Sequence, residues 1–219
     1  MNAQGKRSGE TAREYAYRMI REQVISLELK PGEAFNDMEF AAKIGVSRTP
    51  VREAVIQLSE ESRIIEIFPQ RGMRIAPIDV ELVEEARSLR VLLEKQIAGM
   101  CCEMATEEDI KWLQENVGLQ EFYMENSRPE MVMQLDDEMH HKLFMICHRE
   151  LTYGMCQKLA IHYDRIRSLS VNTVKDNTII EDHRKIIQFI AEHKKENAMA
   201  QMEKHLSRWQ LNEGKFRQE

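Results

Sequence analysis

Ser47-Arg48-Thr49-Pro50-Val51-Arg52-Glu53-Ala54-Val55 reads as the opening of a helix. Ser47 is a residue type that caps helices, and Pro50 is tolerated because first-turn N–H groups have no intrahelical acceptor. Val51, Ala54, Val55 and Leu58 recur at helical spacing and predict a core-facing stripe. Arg48 and Arg52 are four apart and share the face beside that stripe. The helix start also offers free N–H groups and a positive dipole end to a phosphate. A capped helix with two paired arginines and an apolar underside suits a DNA major groove. The alternative is a surface helix with two solvated arginines.

The flanking sequence extends the first reading. A helix is predicted from about residue 11 to 27, with Tyr15, Met19, Ile20, Val24 and Leu27 on its apolar stripe. Leu29-Lys30-Pro31-Gly32-Glu33 is a turn. A short second helix begins at a cap on Asn36 or Asp37 and turns Met38, Ala41, Ala42 and Ile44 inward, and Gly45 suits its C-terminal end. Two helices meeting at so short a turn follow helix-turn-helix logic. Beyond the third helix, Arg63-Ile64-Ile65-Glu66-Ile67-Phe68 and Met73-Arg74-Ile75-Ala76 are strands joined by Pro69-Gln70-Arg71-Gly72. Arg71 and Gly72 at the tip suit a minor groove; an ordinary hairpin with a solvated arginine is the alternative.

The 219-residue chain carries a formal charge of -6, unevenly spread. Residues 1–77 hold 12 Lys/Arg against 11 Asp/Glu, so the acid lies in the rest of the chain, and a local basic face in the first part remains open to phosphate. No run of eighteen apolar residues predicts a membrane span, and no apolar segment of signal-peptide type follows Met1. Four cysteines without CxxC spacing read as reduced thiols of a cytoplasmic protein.

Residues 29–32, 45–54 and 69–72 together resemble the winged-helix domain of the GntR family of bacterial transcription regulators. The resemblance implies a homodimer whose recognition helices enter a double-stranded DNA operator, with Ser47, Arg48, Thr49 and Arg52 touching DNA and Gly72 in the wing.

From Asp79 onward the pattern is helical, with helices at roughly 79–104, 106–126, 130–148, 151–174, 178–193 and 196–216. The expected fold is therefore mainly α: a winged helix-turn-helix over residues 1–77 and an all-helical bundle over 78–219. In that bundle Asp136 falls on an inward helical face with His140 at its edge. His183 aligns with the isoleucines of its helix, and His205 with Ala198, Met202 and Trp209. One carboxylate and three imidazoles converging would hold a divalent metal such as Zn, Ni, Mn or Fe, with positions open for a ligand's oxygens. Hydrogen-bonded core histidines are the alternative.

Asp136-x-x-Met139-His140, Glu181-Asp182-His183 and Met202-x-x-His205 are similar to the FCD effector domain of the FadR-like subfamily. That resemblance implies a metal held by the same four residues and a small organic acid as effector. Arg90 and Arg165 are the candidate guanidinium partners for the acid, although Arg90 could equally pair with Glu94 one turn away. A metal-dependent enzyme and a regulator with a purely structural metal are the competing readings.

Overall fold

The computed structural model describes residues 5–173 and 178–208. The chain forms two compact units: residues up to Val83 together with Lys158–Ile166, and Glu84–Gln157 together with the chain from Arg167 onward.

The first unit is built on α1 (Ala12–Ile25), β1 (Ala34–Phe35), α2 (Asp37–Ile44), α3 (Arg48–Ser62), β2 (Ile65–Phe68) and β3 (Gly72–Ile75). Thr11 and Glu14 cap α1 reciprocally, and Asn36 caps α2 by accepting from the N–H groups of Met38 and Glu39. Gly45 closes α2 at φ 73, a left-handed conformation that glycine adopts without a Cβ penalty, so α3 begins after only two further residues. Ser47 occupies the N-cap position of α3, but its side chain makes no capping hydrogen bond, contrary to the sequence expectation. At the far end, Arg63 takes a left-handed conformation at φ 55, which costs a non-glycine residue roughly 1 kcal/mol.

The predicted stripe of α3 is buried: Val51, Ala54, Val55 and Leu58 pack with Ile20 and Val24 of α1 and with Ile64, Ile65 and Ile75. In α2 the inward residues are Phe40 and Ala41, and Met38 is 61% exposed rather than inward. An eight-residue helix has one narrow apolar face, and Phe40, its ring tilted against Phe35 with centroids 5.2 Å apart, takes it. The sheet is antiparallel in the order β1-β3-β2, with Glu66 opposite Arg74. β1 was not expected, because two residues carry no periodicity.

The second unit contains most of α4 (Val80–Met104), then α5 (Glu107–Glu125), α6 (Pro129–Ile146), most of α7 (Glu150–Leu159), the later part of α8 (Ile161–Thr173), α9 (Thr178–Ala191) and α10 (Lys195–Ser207). α5 packs on α6 and α9, and α9 on α10. The core joins Ile97, Leu113, Met139, Leu143, Ile186 and Met202 with Cys101, Cys102 and Cys147. All four cysteines are free thiols, and Cys156 is half-buried. No helix among the described residues is long and apolar enough to cross a membrane.

The single helix predicted over 151–174 is two helices broken at Ala160, with the segment Lys158–Ile166 belonging to the first unit. Ile161 joins that unit's core, Lys158 pairs with Glu61, and the His162 ring lies 3.0 Å from the Ser62 carbonyl. Such tertiary contacts break a helix without a local Gly or Pro. The predicted stretch 209–216 of the last helix, with Trp209, lies outside the described residues.

Candidate nucleic-acid interface and metal centre

The opening of α3 places Ser47, Arg48, Thr49 and Arg52 together on an exposed surface. The two arginine side chains are 54% and 62% exposed. Both Nε atoms meet one carboxylate oxygen, Oδ2 of Asp37, at 2.9 Å for Arg48 and 3.2 Å for Arg52. Asp37 is itself buried at the first position of α2. The sequence offered Asp37 as a helix cap and missed this role. At the hairpin tip, Gln70 and Gly72 take positive φ values of 62 and 99, and Arg71 is exposed between them. Below it, Arg74 pairs across the strands with Glu66.

In the second unit, Asp136 and His140 of α6, His183 of α9 and His205 of α10 converge, all four buried, with one donor atom from each within 4.8 Å of the rest. His183 Nε2 lies 3.2 Å from His205 Nε2 and 3.3 Å from Asp136 Oδ1. His140 Nε2 lies 3.9 Å from the same oxygen. Ligands about 2.0–2.2 Å from a tetrahedral metal stand roughly 3.3–3.6 Å apart, close to the separations around His183 Nε2, while His140 stands slightly further off.

The residues behind the donors set their tautomers. The amide nitrogen of Gln120 donates to Asn116 Oδ1 and the Leu135 carbonyl, which leaves Gln120 Oε1 to accept from His183 Nδ1 at 2.8 Å. His183 therefore carries its proton on Nδ1 and turns the Nε2 lone pair inward. His140 Nδ1 faces a Glu94 carboxylate oxygen in ion-pair contact, and His140 Nε2 has no hydrogen-bond partner. Behind His205, Asp182 Oδ2 lies 4.0 Å from Nδ1; the carboxylate accepts from Gln201 at Oδ1 and from Arg208 at both oxygens. Metal-ligating histidines are oriented by such carboxylate and carbonyl partners.

Burial disfavours protonation of His183 and His205, and for His205 the neighbouring His183 and His140 add to it, so both pKa values lie below the ordinary histidine value. Burial opposes ionisation of Asp136, but Arg167 and the neighbouring imidazoles outweigh it and hold its carboxyl well below the usual range. Two neutral imidazoles and one carboxylate at neutral pH are what a divalent cation requires.

These shifts predict a pH dependence for the metal-free protein. In the unfolded chain both histidines bind protons near pH 6.5, whereas in the folded chain they do so only at lower pH. Acidification from pH 7.5 to 5 therefore favours unfolding, by up to about 1.4 kcal/mol per pH unit for each histidine. Asp136 and Glu94, depressed in the folded state, add their loss only below about pH 4. Thermal melts of chelated protein across this range test it; a melting temperature flat or rising towards pH 5 contradicts it.

The two guanidinium candidates separate. Arg90 Nε donates to Glu94 Oε1 at 2.5 Å, which is the pairing along its own helix. Arg165 is fully buried in the first unit and donates to the carbonyls of Ala76 and Pro77 at 2.9 and 3.4 Å. Its hydrogen bonds go to backbone carbonyls of its own unit, so it is not carried into the effector proposal. The arginine that reaches the cluster is Arg167, which pairs with both Asp136 and Asp137. No residue spacing signals it, since its partners lie on another helix.

Comparison with known proteins adds to this geometry. The chain matches the FCD domain over residues 85–208 and the family described as bacterial regulatory proteins, gntR family, over residues 12–75. It is 28% identical over 204 residues to the HTH-type transcriptional repressor RspR of Escherichia coli strain K12, covering 93% of this chain and 89% of that one. It is 26% identical over 185 residues to the Nta operon transcriptional regulator of Aminobacter aminovorans, covering 84% and 86%. The solved structure of E. coli McbR/YncC shares the fold, with a TM-score of 0.80 over 94% of this chain and 97% of that one at 17% identity.

Proposed function

Because the chain belongs to the gntR family of bacterial regulatory proteins, with an FCD domain as its second part, we propose that it binds an operator as a homodimer under the control of a metal-dependent acid sensor. The chain is a DNA-binding transcription regulator and not an enzyme, as its relatives and domains are. In this reading residues 1–77 bind DNA and residues 78–219 bind the effector and a second protomer. Ser47, Arg48, Thr49 and Arg52 meet the major groove, and Arg71 and Gly72 the minor groove.

The observation that carries the sensor reading is the convergence of one donor atom each from Asp136, His140, His183 and His205, all buried. These four would hold a divalent ion such as Zn, Ni, Mn or Fe. When bound, the ion supplies a Lewis-acid position for the oxygens of a small carboxylate. Arg90 is the nearby guanidinium proposed to meet the acid's charge. Regulation then requires that the acid bind one of two protein states more tightly than the other.

Thermal melts of metal-loaded protein with a panel of small hydroxy, dicarboxylic and sugar acids test this reading. At least one acid at 100 times its dissociation constant stabilises the loaded protein by about 2.7 kcal/mol, and none does so after chelation. A metal whose removal lowers the melting temperature, with no acid raising it, would instead establish a purely structural ion.

A further inference from the structure

Arg48 and Arg52 do not stand free on α3. Both lean on one carboxylate whose own side chain is only 3% exposed. A carboxylate so deeply buried is tolerated only with compensating partners, so the two guanidinium groups and Asp37 constrain one another. Arg48 donates through Nε and Arg52 approaches the same oxygen with Nε in an ion pair, which turns the Nη end of each guanidinium towards other acceptors. That end-on pair is the fork that matches O6 and N7 of guanine or two phosphate oxygens.

We propose that Asp37 is a positioning residue for DNA recognition. It fixes the two recognition arginines before DNA arrives, and it contributes to sequence discrimination without touching a base. Its burial separates it from a base-reading acid. The proposal rests on the assignment of Arg48 and Arg52 to the DNA surface. Two long side chains held in advance lose less rotamer freedom on binding, and that saving is realised only where both forks meet their correct acceptors. On unrelated sequences the arginines act mainly as charges, and Asp37 there is a like charge facing phosphate.

The test uses full-length Asp37→Asn, with a DNA fragment selected by the wild-type protein and a scrambled fragment of equal length. Affinity for the selected fragment falls by about 10–100-fold, the range of one good bidentate contact. Affinity for the scrambled fragment stays equal or rises, so the specificity ratio collapses. In an Arg48→Ala/Arg52→Ala background the same change alters affinity by less than about twofold, because there is nothing left to position. Asp37→Glu, which keeps the carboxylate, retains the wild-type ratio. If Asp37→Asn folds poorly, Asp37→Gln, which also removes the charge, carries the same comparison.

Equal losses on both fragments would overturn the proposal and leave Asp37 a structural residue. So would an undiminished effect in the double-alanine background. If Arg48→Ala itself leaves affinity untouched, the recognition assignment fails and takes this inference with it. If Arg48→Ala abolishes binding while Asp37→Asn keeps the wild-type ratio, only this inference fails.

Discussion

Arg48→Ala lowers affinity for the selected operator by about 100-fold, and more if both half-sites of a dimer lose the contact, since each bidentate pair contributes roughly 1–3 kcal/mol. The expectation follows from position. Arg48 is the first residue of α3, more than half exposed, with its Nε held by Asp37. Its loss removes a fork from the surface and lets Arg52 keep Asp37 company alone. Folding is expected to survive, because Arg52 remains beside the buried Asp37 carboxylate and the Arg48 side chain lies outside the core. Fluorescence anisotropy near physiological salt, alongside a thermal melt, reads both quantities. Wild-type affinity in a folded variant refutes the recognition-helix assignment. The same titrations carried to higher salt weaken steeply, as the release of counterions from contacted phosphates requires.

His183→Ala empties the proposed metal centre. His183 is fully buried, its Nε2 lies within 3.3 Å of donors from α6 and α10, and its Nδ1 is anchored by Gln120. Its removal takes away the donor that bridges the other elements. Affinity for the metal falls by more than the roughly 10–100-fold that loss of an orienting neighbour costs. Gln120→Ala, which frees the ring but keeps the ligand, falls within that smaller range. Elemental analysis after dialysis separates the two variants from wild type. Full occupancy in a folded His183→Ala protein refutes the ligand set.

What the sequence disclosed and what it hid divide along a physical line. Periodicity is local, so the stripe of α3, the capping position of Asn36 and the inward faces carrying Asp136 and His183 are legible from residue spacing alone. The partners that complete each site are not local. Gln120 meets His183 across two helices, Arg167 reaches Asp136 from another helix, and Asp37 meets Arg48 from the preceding one. No spacing rule encodes such pairs. Arg90 with Glu94 is the informative exception: an i, i+4 pair whose internal bond could be read beforehand and is formed. The surroundings of Arg165 were hidden for a related reason. Its helix looked continuous from 151 to 174, and only the packing of Ile161 and His162 against the first unit reveals the break that sends its guanidinium to Ala76 and Pro77.

The central claim is sequence-specific binding of an operator by a two-fold-symmetric protein. Its most direct test is selection of bound fragments from genomic DNA by the metal-loaded, full-length protein at about 0.15 M salt. The account predicts enrichment of one short inverted repeat, with half-sites about one helical turn apart or a multiple of it. Absence of any enriched sequence from folded, metal-loaded protein, both with and without the acid panel, would contradict it.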